Sequence, residues 1–282
     1  MYKYFSLVKF NHTIFAMPFA LIGFILASKT CGFEWISLLY VVLCMIFARS
    51  AAMGFNRYID RDIDKKNTRT ANIREIPNGS ISAQNALIFV SINSLLFIVT
   101  TLKINTLCFF LSPIALIIIL GYSYTKRYTA LCHLILGLGL ALAPLGGYLA
   151  VCGEFKLTPI LFSVSVLFWV SGFDIIYALQ DEQFDKKHKL YSIPVLLGTE
   201  KAIKSSKILH IISVINLAFI GVLTVFGIWY WIGLCIFTGL IIYQHYLIKI
   251  HNLDKINLAF FTTNGIASII FGTFVIIEIL SQ

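Results

Sequence analysis

The sequence predicts an all-α integral membrane protein with nine transmembrane helices, and three observations predict it. Of 282 residues, 59% are hydrophobic and only 12% are charged, with a mean hydropathy of +0.86, where a soluble domain carries about 25% charged residues. The apolar residues run in stretches of roughly 20, the length that crosses a hydrocarbon core. The basic residues gather in the segments between those stretches, far more of them on one side than on the other.

Taken in order, charge-poor runs place spans near 11–29, 35–56, 83–102, 105–124, 130–151, 157–178, 208–227, 229–248 and 257–279. The first run carries Asn11, His12 and Pro18 without a small-residue cleavage site, so it reads as a retained span rather than a signal peptide. The stretch Ile208 to Ile248 has no Lys, Arg, Asp or Glu and is too long for one crossing. Gly227 with Trp229, Tyr230 and Trp231 marks an interfacial turn that divides it. Lys3 and Lys9, the basic residues of 57–74, Lys126 and Arg127, the lysines of 186–207, and Lys249 and Lys255 share one side; only Lys29, Lys103 and Lys156 take the other. That asymmetry puts the N-terminus and both long polar loops, 57–82 and 181–207, in the cytoplasm and Gln282 outside. The net charge of +9 is therefore an orientation signal and not a nucleic-acid footprint. No linker rich in Gly, Ser or Pro divides the chain, so residues 1–282 read as one domain.

Three residue types read as structural. Cys31, Cys44, Cys108, Cys132, Cys152 and Cys235 lie scattered in or beside apolar spans with no C-x-x-C pair, and are expected to be buried small hydrophobes, neither disulfides nor ligands. His12, His133, His188, His210, His245 and His251 are dispersed and form no metal set, so single structural roles are expected. Gly137, Gly139, Gly146 and Gly147 are expected to let helices pack closely.

The polar chemistry concentrates in two stretches. Arg49, Asn56, Asp60 and Asp64 stand at offsets 0, 7, 11 and 15, and at about 100° per residue they share one helical stripe. Asp174, Tyr177, Asp181 and Asp185, at offsets 0, 3, 7 and 11, make a second. One acidic pair at a helix end reads equally well as solvation of that end. Two pairs at the same membrane edge favour a shared site, and four carboxylates brought together repel unless cations bridge them. Mg²⁺ prefers such oxygen ligands, takes only one or two protein carboxylates, and fills its shell with water and phosphate oxygens, so the implied ligand is a diphosphate. Lys126, Arg127, Arg69 and Arg74 near that surface suit diphosphate or act as positive-inside anchors. Arg49 lies within a span, a costly place that implies either a partner such as Asp174 or an anionic ligand group. Asp174 is intramembrane by the same count, and Tyr177 is placed to orient a substrate or to hydrogen-bond an aspartate.

These residues resemble a known family. Asn56-x-x-x-Asp60-x-x-x-Asp64 and Asp174-x-x-Tyr177-x-x-x-Asp181-x-x-x-Asp185 resemble the two aspartate-rich motifs of the UbiA superfamily of intramembrane prenyltransferases. Ser-Ala-Ala-Met-Gly-Phe-Asn56-Arg57, Tyr122-Ser-Tyr-Thr-Lys126-Arg127-Tyr-Thr129 and Phe173-Asp174-Ile-Ile-Tyr177-Ala-Leu-Gln-Asp181 are similar to the 4-hydroxybenzoate polyprenyltransferase branch and its menaquinone-pathway relative. The resemblance implies a nine-helix bundle around a central cavity in the cell (inner) membrane, Mg²⁺ as cofactor, and a polyprenyl diphosphate and an aromatic acid as substrates, with no obligate protein partner. It assigns Asn56, Asp60, Asp64, Asp181 and Asp185 to Mg²⁺–diphosphate and Lys126 and Arg127 to diphosphate. Arg57 stands where many members carry Asp, and the loop Thr70–Pro77 is one residue longer than usual.

The expected chemistry is ionisation of an allylic C–O bond in a water-free chamber lined by some of the 24 Phe and 13 Tyr, whose ring faces stabilise a cation by about 0.5–2 kcal/mol each. Candidate acceptors are 4-hydroxybenzoate and 1,4-dihydroxy-6-naphthoate, either of whose carboxylates suits Arg49. A secondary transporter would instead need polar groups near the bilayer midplane. A phosphotransferase using Asp and Mg²⁺ would yield a phosphorylated product.

Overall fold

The computed structural model describes residues 2–8, 15–248, 256 and 262–282, and among them every regular element is helical. A short helix α1 (Tyr2–Val8) precedes α2 (Met17–Cys31) and α3 (Trp35–Ile59), and α4 (Arg61–Lys66) opens the first long loop. Then follow α5 (Ala83–Ile104), α6 (Thr106–Thr125), α7 (Cys132–Cys152) and α8 (Leu157–Ala178). The second loop holds α9 (Glu182–Lys187) and α10 (Ile193–Leu197), and α11 (Thr199–Leu223), α12 (Ile228–Leu247) and α13 (Asn264–Ser281) complete the bundle. Eight helices among the described residues are long and apolar enough to cross a membrane, and α2, with 15 residues, is shorter. Asn11 and His12 of the expected first span, residues 257–261 of the last, and Lys9, Lys249, His251 and Lys255 lie outside the described residues.

Local chemistry sets the boundaries. Ser82 caps α5 by accepting from Asn85 N at 3.1 Å, and Asn105 caps α6 by accepting from Cys108 N at 2.8 Å. Gly153 ends α7 in the left-handed conformation, at φ 66°. The expected turn at Gly227 lies between α11 and α12. The seventh span begins at Thr199 and not near 208, because Lys201, Lys204 and Lys207 project into water without breaking the helix; Lys204 even pairs with Glu200 one turn back, at 2.7 Å.

Two lobes share α2 and α7. In one, α2, α7, α8, α11, α12 and α13 close around a solid core. Phe19, Phe162, Trp169, Tyr230, Phe237 and Phe271 fill it, with Phe19–Trp169 and Phe237–Phe271 ring centroids 5.5 and 5.2 Å apart. In the other, α2, α3, α5, α6 and α7 surround a cavity of about 300 Å³. Aliphatic and small residues line it, and its aromatic side chains are Phe97, Tyr122 and Phe155. These three are the rings expected on the chamber wall, while larger clusters such as Trp169, Phe237 and Phe271 fill the solid lobe.

Two helix contacts explain the shared seam. A β-carbon at Gly23 of α2 would lie 1.9 Å from the Pro144 carbonyl oxygen of α7, and one at Gly147 would lie 2.2 Å from the Ala20 oxygen. Cys31 and Cys152, at the far ends of these two helices, form a disulfide, against the expectation of isolated thiols. A spacing of 121 residues gives no hint of a bridge; two tightly packed helices that end together do. His210 and His245 are also not single: their ring nitrogens lie 2.8 Å apart between α11 and α12.

Candidate active site

Both acidic stretches break their helix at the first carboxylate of the loop, so neither motif is the single unbroken stripe expected. α3 ends at Ile59 and Asp60 caps it, its N–H donating to Asn56 O at 2.9 Å while α4 carries Asp64. α8 ends at Ala178, a 3₁₀ turn covers Leu179–Asp181, and α9 carries Asp185. Beyond these breaks the two motifs meet. Asp60, Asp64, Asp181 and Asp185, with Asn67, Arg69, Thr70, Arg74 and Lys126, line one cleft of about 60 Å³.

The first loop joins the motifs. Asn67 Nδ2 donates to Asp181 Oδ1 at 3.0 Å, and Arg69 donates to both Asp181 oxygens, Nε at 3.2 Å and Nη2 at 2.5 Å. Arg69 Nη1 also donates to the Tyr177 hydroxyl at 3.2 Å. Arg74 pairs with Asp64, whose main-chain carbonyl accepts from Thr70 Oγ1 at 2.9 Å. From α6, Lys126 Nζ lies 2.8 Å from the fully buried Asp185 carboxylate. Arg127 Nη2 lies 3.4 Å from Asp60 and donates to Ile59 O at 2.8 Å. Asn56 Nδ2 donates to Asp60 Oδ2 at 2.9 Å.

Each of the four aspartates therefore faces its own basic side chain, and these cations offset part of the repulsion expected of four gathered carboxylates. Burial, and then Asp64 nearby, raise the Asp60 carboxyl above the usual range. Burial by itself lowers the Lys126 ammonium, but Asp185 beside it, with Asp181 and Asp60 further off, raises it overall. Arg69 is raised likewise, its hydrogen bonds to Asp181 outweighing burial.

Below this cleft the apolar cavity has two polar residues at its near end, Arg49 and Tyr122. Arg49 Nε is buried and has no hydrogen-bond partner. It forms no ion pair with Asp174, contrary to one expectation. Asp174 Oδ2 instead accepts from His133 Nδ1 at 2.7 Å, and His133 Nε2 accepts from Ile193 N at 3.3 Å. The main-chain donor at Nε2 assigns the proton of a neutral ring to Nδ1. In the sequence His133 reads only as a structural residue and Tyr122 only as the first residue of the stretch around Lys126 and Arg127, because spacing assigns neither of them a partner. Arg57 is buried as well, with Nε unpartnered and Nη1 3.4 Å from Asn56 Oδ1.

The donor set fits Mg²⁺: four carboxylates and the Asn56 and Asn67 amides supply hard oxygens. Among the described residues no three His, Cys, Asp or Glu side chains cluster tightly enough to hold a metal alone. The buried donors at Arg49 Nε, Arg57 Nε and Arg127 Nη1, all unpartnered, suit anions.

Comparison with known proteins identifies the family. The sequence profile described as the UbiA prenyltransferase family matches residues 16–266. The 4-hydroxybenzoate octaprenyltransferase of Aliivibrio fischeri (strain MJ11) is 33% identical over 165 residues, 58% of this chain and 57% of that protein. The protein of that name from Thiobacillus denitrificans is 30% identical over 197 residues, 70% of this chain and 67% of its own. The matched region thus spans little more than half the length of the first of these relatives. Among solved structures, the apo structure of a UbiA homolog from Aeropyrum pernix K1 has a TM-score of 0.85 at 30% identity, covering 95% of this chain and 98% of that one. A UbiA homolog from Archaeoglobus fulgidus bound to GPP and Mg²⁺ shares the fold, with a TM-score of 0.75 at 23% identity over 99% and 100% of the two chains.

Proposed function

From the premise that this chain belongs to the UbiA prenyltransferase family, we propose that it transfers a polyprenyl group from its diphosphate to a ring carbon of an aromatic acid, 4-hydroxybenzoate by preference. The observation that carries the reading is the meeting of two aspartate-bearing helix breaks in one cleft at the end of an apolar chamber. Asp60, Asp64, Asp181 and Asp185, with Asn56, would hold Mg²⁺ against the diphosphate. When bound, the ion draws negative charge off the leaving group.

Lys126, Arg127, Arg69 and Arg74 exchange their aspartate partners for diphosphate oxygens and stabilise the charge that builds as the allylic C–O bond breaks. The bonding pair leaves with diphosphate. The apolar chamber excludes the water that would capture the carbocation as an alcohol. Arg49 takes the acceptor's carboxylate with its guanidinium, whose Nε has no partner, and this turns the electron-rich carbon ortho to the phenol toward the cation. A carbon–carbon bond forms and the ring proton is released.

The bunched lysines and arginines support a cytoplasmic active site in the cell membrane. The disulfide at the opposite ends of α2 and α7 supports the same orientation, since disulfides persist in oxidising compartments. Purified protein with Mg²⁺, 4-hydroxybenzoate and octaprenyl diphosphate is expected to give a product of the prenylated mass, and Asp60→Ala and Asp181→Ala to abolish it at saturating Mg²⁺. Near-normal turnover by both variants overturns the site; a phosphorylated product, or transmembrane flux without diphosphate release, overturns the reaction.

A further inference from the structure

Gly146 has no packing reason to lack a side chain. A β-carbon there meets no atom within 4 Å, whereas one at the adjacent Gly147 collides with α2. Gly146 is exposed, and what it is exposed to is the chamber, whose wall on α7 also includes Gly139, Ala143 and Ala150. A glycine inside a helix costs about 1 kcal/mol relative to alanine, so helix stability argues for alanine or another helix former at this position.

Its depth gives the vacancy a consequence. Leu136 is the first α7 residue on the chamber wall. Gly146 stands ten residues further on, about 15 Å along the axis at 1.5 Å per residue. The α6 side of the wall runs from Cys108 to Tyr122, about 21 Å by the same measure. An isoprene unit adds four chain carbons, about 5 Å when extended at carbon–carbon bonds near 1.5 Å. The third or fourth unit of a prenyl chain running down the chamber therefore passes Gly146.

We propose that Gly146 sets the length of prenyl chain the chamber accepts: its missing side chain lets a donor of more than about three isoprene units thread past, and any large side chain there makes the enzyme a short-chain transferase. The inference rests on the prenyl-transfer reading. The test compares wild type, Gly146→Leu and Gly146→Phe with geranyl and octaprenyl diphosphates at saturating 4-hydroxybenzoate, alongside thermal unfolding in detergent. Expected are a tenfold or greater fall in kcat/KM for octaprenyl diphosphate, a change under twofold for geranyl diphosphate, and an unfolding temperature no lower than wild type. Unchanged use of octaprenyl diphosphate by both variants overturns the proposal, as does an equal loss with both donors. A wild type inactive with either donor defeats the prenyl-transfer reading instead.

Discussion

Asp60 with Arg127, Asp64 with Arg74, Asp181 with Arg69 and Asp185 with Lys126 are four pairings that a metal–diphosphate ligand would all have to exchange. Mg²⁺ arriving by itself must compete with four cations already in place, and diphosphate by itself with four anions. Together they satisfy both sets. Mg²⁺ or inorganic diphosphate separately is therefore expected to shift thermal unfolding by about 1 °C or less. The two together, at 100 times their joint Kd, are expected to stabilise by about 2.7 kcal/mol, roughly 5 °C or more. A full shift with Mg²⁺ alone refutes this exchange. The four aspartates stood out in the sequence by type and spacing, and the four basic residues by lying near the same surface. Their pairing did not, because Arg69 and Asp181 are 112 residues apart and meet only through the path of the first loop.

The elements were largely legible, since runs of about 20 apolar residues leave a chain in lipid little choice but helix. Three local events were not. The helix breaks at Asp60 and at Leu179–Asp181 fall inside an unbroken helical period, and only the packed ends of the bundle reveal them. The start of α11 was hidden because charged turns extend a helix beyond the bilayer. The glycines of α7 looked alike, yet Gly147 is required by the closeness of α2 and Gly146 is not. Gly147→Leu is expected to cost about 1–3 kcal/mol through forced separation of α2 and α7, measured by thermal or denaturant unfolding in detergent. Equal stability for Gly147→Leu and Gly146→Leu contradicts the packing of this seam.

At the scale of the molecule, charge and oxidation mark opposite ends. The acidic cleft sits where the basic loops gather, and the Cys31–Cys152 bridge sits at the other ends of α2 and α7. In intact cells an impermeant reductant followed by an impermeant maleimide is expected to label Cys31 and Cys152, while an added cysteine at the exposed Lys187 reacts only after lysis; the reverse pattern inverts the protein in the membrane. By itself the sequence determined a membrane-embedded helical bundle, its expected orientation and the residue types of its polar end, because hydropathy, charge asymmetry and i, i+4 spacing are properties of a chain read one segment at a time. Only the tertiary structure decided that one lobe is solid and the other hollow, that Asp174 belongs to His133 rather than Arg49, and that two cysteines 121 residues apart are joined. Those facts depend on which helices lie side by side, and hydrophobic residues facing lipid, core or cavity look the same until that arrangement exists.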